Sequence, residues 1–471
     1  MAEADERTGR GSSTPLAGKT ATEIAALVRA REVAPADVVR DHLARIAALD
    51  LDLHAFRAVR AERALAEAAA LAARPDLGDL PLAGVPVAIK DNVAVAGEPT
   101  RQGSAAMPDA PAAADDELVR RLRAAGCIMI GKTAMPELAI WPFTEPEADE
   151  PTRNPWNRER TPGGSTGGGG AAVAAGLAPL ALGSDGGGSI RIPAACCGIV
   201  GLKPGPGVVP LAGGADQHWL GLTEFGPLAA TVADLALMLD VLAQTTTYRD
   251  AAPPPRPLRL AVSTKPPAAG ARVSPEVEAA VARAASALAG AGHEVAAADP
   301  PYPLDIGLRF MRRWLPGIAE DARGLPAERL EARTRAMARA GDWLQRRGWA
   351  KPAAEDAFRA RALRWFAPYD ALLTATLATP PVPIGRWRGK GWLATALSVG
   401  NWLFTTPWNL AGFPAASVPA GLTPDGLPLA VRLVAPPGGE ATLLALMAQL
   451  ELLLPWPRWE GVVAQGGHAG D

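Results

Sequence analysis

The sequence predicts an α/β protein with one large domain, and two observations support this prediction. Apolar runs typical of buried strands alternate along the chain with segments in which apolar residues recur at helical spacing. The chain has 471 residues, 48% of them hydrophobic, so it can bury a large core. This length allows one large domain or two smaller ones. The unbroken alternation of helix and strand patterns favours one.

The elements are predicted in chain order as follows. Residues 1–17 are expected to be a disordered tail, and residues 18–80 to be leading helices that begin at a capping box between Thr20 and Glu23. Residues 82–242 carry strand, helix and strand patterns around two glycine-rich loops, with a buried strand over 85–89 and a helix that starts at Thr231. The later predicted elements are a strand at 258–264, a helix at 275–292, a strand at 293–298, an arginine-rich helical segment at 303–366, a helix at 442–453 and a flexible tail at 461–471.

Composition excludes several classes of protein. A net charge of −2 gives no electrostatic reason to expect a nucleic-acid partner. The three cysteines, Cys127, Cys196 and Cys197, are predicted to be reduced core residues of a cytoplasmic protein, because two of them are adjacent and adjacent cysteines rarely form a structural bridge. We expect no metal and no cofactor. The polar, acidic start of the chain and the lack of an apolar run of about twenty residues predict neither secretion nor a membrane partner.

Two serines and one lysine carry the chemistry that the sequence suggests. Ser165 lies in TPGGSTGGGG, Ser189 lies in GSDGGGSIRIP, and Lys90 ends GVPVAIK. A serine nucleophile needs a partner that takes its proton, and the glycine-rich region has no histidine. His218 follows Ser189 by one loop, but we expect it to cap a loop or contact substrate. A lysine can serve as the base when burial keeps its amine neutral, and Lys90 follows an apolar strand.

The alternative for Lys90 is a solvated turn formed with Asp91, and the glycines favour the catalytic interpretation. Gly186, Gly187 and Gly188 precede Ser189, so several backbone amides can approach a reacting carbonyl and form an oxyanion hole. A flexible linker or a phosphate cradle would also be rich in glycine. A phosphate loop requires GxxxxGK[ST], and a dinucleotide site requires an acidic residue about twenty positions later; neither pattern fits convincingly.

Three segments, GVPVAIKDN, TPGGSTGGGGAAVAAG and LGSDGGGSIRIPAACCGIVGLKP, resemble the amidase signature family of Ser-cisSer-Lys amidohydrolases. The resemblance extends from about residue 18 to about residue 455. It implies an amidase domain over residues 18–460, built on a central mixed β-sheet that is covered by helices on both faces. It also implies that Ser189 is the nucleophile, Ser165 a relay serine on a cis peptide and Lys90 the base.

The same resemblance assigns roles to three neighbouring residues. Asp185 would accept hydrogen bonds that fix the glycine loop, and Thr166 stands where the family usually has a second serine. Arg191 could pair with a substrate carboxylate, although we favour a structural salt bridge. Arg432 replaces a common glutamine, a change that affects packing and substrate fit more than the reaction.

The substrate is less well indicated. Eight of the thirteen tryptophans lie between residues 314 and 408: Trp314, Trp343, Trp349, Trp365, Trp387, Trp392, Trp402 and Trp408. They could line an apolar acyl pocket, or they could pack the helical layer or a subunit contact, which we favour. We expect residues 303–366 to form much of the substrate entrance.

The function that these observations imply is hydrolysis of a small-molecule carboxamide through an acyl-enzyme, which yields a carboxylic acid and ammonia or an amine. One alternative is the A subunit of a glutamyl-tRNA(Gln) amidotransferase complex, and another is a non-catalytic relative that acts as a binding protein. QHWLGLTEFGP does not resemble the corresponding stretch of that subunit, and the intact lysine and serines count against a non-catalytic protein. The acyl and amine groups, the choice between hydrolysis and acyl transfer, and homodimer formation stay open.

Overall fold

A computed structural model describes residues 15–214, 217–250, 252–254, 256–268, 270–352 and 356–458. Most of the tail predicted at residues 1–17 and all of the tail predicted at 461–471 lie outside the described residues. Residues 15–17 are described and they pack against the domain. The Leu16 amide donates a hydrogen bond to the Asp41 carboxylate at 2.8 Å, and Ala17 is buried. Leu16 and Ala17 therefore belong to the folded domain and not to the tail that we predicted for residues 1–17.

The described residues form one mixed sheet of eleven strands. In chain order the strands are β1 Phe56–Val59, β2 Pro86–Lys90, β3 Ile128–Thr133, β4 Leu180–Asp185, β5 Val200–Lys203, β6 Glu224–Ala229, β7 Arg259–Ser263, β8 Glu294–Ala297, β9 Ala371–Ala375, β10 Ala415–Leu422 and β11 Pro428–Val434. Their order across the sheet is β1-β3-β2-β4-β6-β5-β10-β11-β9-β7-β8. The β2 strand is parallel to both β3 and β4, and β7 is parallel to both β8 and β9. The other pairs are antiparallel.

Helices cover both faces of this sheet, which confirms the predicted architecture. They are α1 Ala21–Arg29, α2 Pro35–Leu53, α3 Ala61–Ala72, α4 Glu117–Ala124, α5 Gly167–Ala174, α6 Arg191–Cys197, α7 Val232–Ala243, α8 Pro275–Gly290, α9 Ile306–Asp321, α10 Ala332–Arg346, α11 Ala357–Phe366, α12 Trp392–Gly400, α13 Thr406–Leu410 and α14 Glu440–Leu453. The capping box at Thr20 and the helix start at Thr231 are confirmed. Within the described residues, no helix has the length and apolar character needed to cross a membrane.

The prediction of leading helices over 18–80 was incomplete, because β1 interrupts them. Helix α2 ends where His54 takes a left-handed backbone conformation, and the next residues pair antiparallel with β3. The pairing partner lies more than 70 residues later in the chain. Four residues are too few to show a clear strand pattern, so this long-range pairing decides their conformation.

The candidate site lies at the carboxyl ends of two neighbouring interior strands of the sheet. The parallel strands β2 and β4 end at Lys90 and Asp185, so both side chains lie where the carboxyl ends of neighbouring strands meet. Alternation along β2 places Val87 and Ile89 in one core layer and Ala88 in the other. Lys90 therefore projects from the face of Ala88, toward the layer that holds α5, α6 and the serine loops.

Candidate active site

Lys90 is fully buried and its amine contacts two serines. The Nζ atom lies 2.7 Å from Ser165 Oγ and 2.8 Å from Ser184 Oγ, and the Asn92 side-chain amide donates to the same Ser184 oxygen at 3.1 Å. Burial lowers the pKa of Lys90 to about 7, although the nearby Asp185 carboxylate acts in the opposite direction. The amine is therefore poised to exchange protons near neutral pH. The alternative of a solvated Lys-Asp turn is wrong, because Asp91 is also buried and pairs with Lys132 at 3.1 Å.

Ser165 follows a cis peptide bond from Gly164, as the family resemblance implied. Gly164 is packed so tightly that a Cβ atom added there would lie 2.6 Å from the Phe143 amide nitrogen. The next residue, Thr166, binds the neighbouring loop: its amide donates to the Ser189 carbonyl at 3.1 Å and its hydroxyl to the Ser184 carbonyl at 3.3 Å. Thr166 thus joins the loop of Ser165 to the loop of Ser189.

Of the four backbone amides that we predicted for the oxyanion hole, three are available to bind a substrate oxygen. Within the described residues, no hydrogen-bond acceptor is found for the amides of Gly186, Gly187 and Ser189. The Gly188 amide differs, because it donates to Asp185 Oδ1 at 2.7 Å. Our assignment of Gly188 to the oxyanion hole was therefore wrong. Its role is conformational: its φ angle is +132°, and a Cβ atom there would lie 2.3 Å from Thr405 Oγ1.

A buried ion pair fixes this loop. Arg191 donates from Nε and Nη2 to the two Asp185 carboxylate oxygens, both at 2.9 Å, and neither side chain is exposed. Burial alone would raise the pKa of the Asp185 carboxyl, but Arg191 and Asn409 together hold it well below its usual range. The structural salt bridge that we favoured for Arg191 is confirmed. A role in binding a substrate carboxylate is excluded, since the guanidinium is fully buried in this pair.

Residues distant in sequence complete the support, and sequence reasoning missed them. The Asn409 amide donates to the Asp185 carboxylate at 2.9 Å and to the Leu222 carbonyl at 3.1 Å. Thr405 Oγ1 donates to the Gly187 carbonyl at 2.5 Å. Both residues lie about 220 positions after the loop that they hold, so no local motif points to them. Ser184 could have been found, because it stands next to Asp185 at the end of β4.

A cavity of about 960 Å³ leads to Ser189, which is 8% exposed. Its walls are mainly aliphatic and aromatic, and most of them come from α9, α10 and α12. Of the eight tryptophans that we singled out, four line it: Trp314, Trp343, Trp349 and Trp392. The packing role that we favoured is correct for Trp387, Trp402 and Trp408, and also for Trp314, which is buried in the same core and lines the cavity as well. It does not account for Trp343, Trp349 and Trp392, which face the cavity outside the buried core. Trp219, which the sequence did not indicate, also lines the cavity.

His218 contacts other residues than the serines. One ring nitrogen lies 2.8 Å from Thr223 Oγ1 and the other 3.2 Å from Asp321 Oδ1. Both nitrogens are thus engaged in holding the loop, in agreement with the expected capping role. In the part of the chain that the structure describes, no group of three or more His, Cys, Asp or Glu side chains is arranged to hold a metal ion. The three cysteines are buried and free.

Comparison with known proteins gives consistent matches over most of the chain. The family model described as Amidase matches residues 37–444. The putative amidase AmiB2 of Mycobacterium tuberculosis is 48% identical over 428 residues, which cover 88% of this chain and 92% of that protein. An acylamidase of Rhodococcus erythropolis is 35% identical over 468 residues, 93% and 96% of the two chains. The solved structure of 6-aminohexanoate cyclic dimer hydrolase has a TM-score of 0.84 at 32% identity, covering 94% of this chain and 98% of that one.

Proposed function

Since the chain belongs to the amidase signature family and is an amide hydrolase, we propose that it cleaves an apolar carboxamide through Lys90, Ser165 and Ser189 by way of an acyl-enzyme. The observation that carries this proposal is the buried amine of Lys90, which lies 2.7 Å from Ser165 Oγ and has a pKa of about 7. A general base works best when its pKa is near the operating pH.

The first step forms the acyl-enzyme. Neutral Lys90 takes a proton from the Ser165 hydroxyl, Ser165 takes the proton of Ser189, and Ser189 Oγ attacks the amide carbonyl carbon. The amides of Gly186, Gly187 and Ser189 are the donors available to the oxygen that becomes negative. Ser165 then returns a proton to the leaving nitrogen, and the C–N bond breaks. Water attacks the acyl-enzyme by the same proton route and releases the carboxylic acid.

The cavity supports an apolar substrate. Among the described residues that line it, Asp305 and Arg312 are the charged ones, and both are exposed. A glutamine substrate carries an ammonium group and a carboxylate, and each would need a charged or strongly polar partner on burial. The cavity therefore favours a stand-alone amidase over the glutaminase subunit. The relative named acylamidase is consistent with this choice.

Covalent labelling of Ser189 tests the proposal without knowledge of the substrate. We expect an alkyl fluorophosphonate to add one mass adduct to the wild-type protein. Ser189→Ala should abolish the adduct, and Lys90→Ala should slow its formation by about 10²–10⁴-fold, the usual contribution of a general base. Ser263→Ala, a change at the end of β7, is the matched control and should label at the wild-type rate. Absence of an adduct on a folded wild-type protein would contradict the mechanism and favour a binding protein.

A screen of amides then identifies the substrate class. Apolar acyl amides should be hydrolysed with a higher kcat/KM than glutamine. A preference for glutamine that appears only after partner subunits copurify would instead support the amidotransferase alternative.

A further inference from the structure

A loop that the proposed mechanism does not use brings an aromatic side chain next to the glycine loop. We propose that Trp219 determines substrate specificity by selecting an amide with a planar aromatic group beside the scissile bond, and that Asp321 is its positioning residue. This inference rests on the proposed function, because it assigns a substrate class to the same cavity. Trp219 lines that cavity together with Gly187 and Ser189.

The backbone that carries Trp219 has an uncommon conformation. Trp219 has a φ angle of 51° and Leu220 one of 55°, and Gly221 follows at 82°. Non-glycine residues rarely adopt positive φ, and they keep it only where surrounding contacts enforce it. Two such residues in succession show that the placement of this side chain is specified by its contacts and not by local preference.

Contacts from two sides specify the position of the indole. A Cβ atom added to Gly317 of α9 would lie 2.4 Å from Trp219 Cδ1, and one added to Gly186 would lie 2.7 Å from Trp219 Cε3. The indole is therefore clamped between the helix that lines the cavity and a residue of the candidate oxyanion hole. Only residues without a side chain allow this close approach at both positions.

Asp321, the last residue of α9, fixes the orientation of the ring. Its Oδ2 accepts a hydrogen bond from Trp219 Nε1 at 2.6 Å, and its Oδ1 lies 3.2 Å from a ring nitrogen of His218. His218 in turn stacks on Trp219, with ring centroids 5.2 Å apart. One carboxylate thus holds two successive aromatic residues of the loop.

Trp219 is also part of a continuous aromatic wall. Its ring meets Trp314 edge to face at 6.4 Å, and Trp314 contacts Phe310 at 5.6 Å and Trp141 at 5.7 Å. Trp219, Trp314 and Phe310 line the cavity. Aromatic rings prefer offset-stacked or edge-to-face partners, so a wall of this kind favours a planar ring over an aliphatic group of similar size.

The test compares selectivity ratios. In the acyl arm, benzoyl and acetyl p-nitroanilides share one amine; in the amine arm, acetanilide and N-methylacetamide share one acyl group. We expect Trp219→Ala to lower the aromatic-to-aliphatic ratio of kcat/KM by about tenfold or more in at least one arm. Trp365→Ala, which removes a half-buried tryptophan outside the cavity lining, should leave both ratios unchanged.

Asp321 is tested by a pair of variants. Asp321→Leu removes the acceptor of the indole N–H and should lower the same ratio, whereas Asp321→Asn keeps an acceptor oxygen and should restore it toward the wild-type value. If Trp219→Ala does not fold, Trp219→Phe replaces it in the comparison of selectivity ratios, because phenylalanine keeps a ring but lacks the indole N–H. Fluorophosphonate labelling of every variant reports an intact Ser189.

The outcomes separate this inference from the proposed function. Wild-type protein that neither labels nor hydrolyses any probe contradicts the proposed function itself. Wild-type protein that labels and turns over, with ratios that stay the same in Trp219→Ala and Asp321→Leu, overturns only the specificity role of Trp219.

Discussion

The buried amine of Lys90 predicts how the reaction depends on pH. An ordinary lysine has a pKa of 10.5, so at pH 7 only about 0.03% of it is neutral, whereas a pKa of about 7 leaves about half of it neutral. Burial thus raises the concentration of the active base more than about 10³-fold. The same difference in pKa corresponds to a free energy of about 5 kcal/mol by which burial disfavours the charged amine relative to the neutral one, because the fold excludes water from it.

The assay is the rate of fluorophosphonate addition to Ser189 between pH 5 and pH 9, measured by intact mass. We expect the rate to rise about tenfold per pH unit below pH 7 and to level off above it, because only the neutral amine accepts a proton. Lys90→Arg keeps a charge that cannot be removed in this range, and its labelling should be at least about 10²-fold slower than the plateau rate of the wild type at every pH. A rate that is flat from pH 5 to pH 9, or that still rises steeply at pH 9, would refute the assignment of Lys90 as the base.

Lys90→Met separates loss of the base from loss of the fold. In the wild-type protein the folded-state pKa of Lys90 lies below the unfolded value, so between about pH 7 and pH 10.5 the unfolded chain binds more protons. This group therefore opposes folding most strongly below about pH 7, and its cost falls as the pH rises toward 10.5. We expect Lys90→Met to be inactive and yet at least as stable as wild type at pH 7. A large loss of stability in this variant would mean that the lysine is structural.

The other predictions concern residues that support the site. Gly188→Ala should lose labelling of Ser189, because its Cβ atom would clash with Thr405. The control is Gly290→Ala at the end of α8, where the Cβ atom meets open space. This variant should keep labelling, and its free energy of unfolding should rise by up to about 1 kcal/mol. Arg191→Met leaves the Asp185 carboxylate buried without its cation. Thermal unfolding should show that the free energy of unfolding falls by about 3–5 kcal/mol, and labelling of Ser189 should be lost as well. Arg432 is fully buried, and its three guanidinium nitrogens make no hydrogen bond of normal geometry within the described residues. Burial lowers its pKa to about 9, although Tyr302 and the Asp185 carboxylate act in the opposite direction. Arg432→Met should therefore raise the unfolding temperature at pH 7, and a lower unfolding temperature would mean that these two partners compensate the buried charge.

The residues placed at the site from sequence share one property: each is defined by its nearest neighbours in the chain. Lys90 ends an apolar strand, and Ser165 and Ser189 lie in glycine-rich loops, so a short window of sequence contains the strand, the turn and the reactive group. The fold class was predictable for a similar reason, since the alternation of strands and helices is itself local. The cis bond before Ser165 came from the family resemblance and not from the residues alone.

What the sequence left out depends on contacts between distant segments. Asn409 and Thr405 hold the glycine loop from about 220 residues away, and β1 forms only because β3 supplies a partner. The prediction for Gly188 was wrong for a similar reason, because it also depends on a contact that the sequence does not reveal. The sequence predicts a free amide at Gly188, whereas this amide donates to the Asp185 carboxylate at 2.7 Å, and no spacing rule shows which way a carboxylate turns.

The residues defined by local sequence and those placed by contacts between distant segments form two different parts of the site. In the proposed mechanism the reaction depends on the carboxyl ends of β2 and β4 and on the glycine loops beside them. The cavity wall, in contrast, comes mainly from α9, α10 and α12, which lie between residues 306 and 400. Trp219 and Asp321 are the place where the two parts meet, because the indole contacts Gly186 on one side and Gly317 on the other. A substitution in α9 can therefore change which amide reaches Ser189 without altering the group that activates it. This is why the motifs predict the bond that is cleaved, and why the substrate has to be inferred from the cavity.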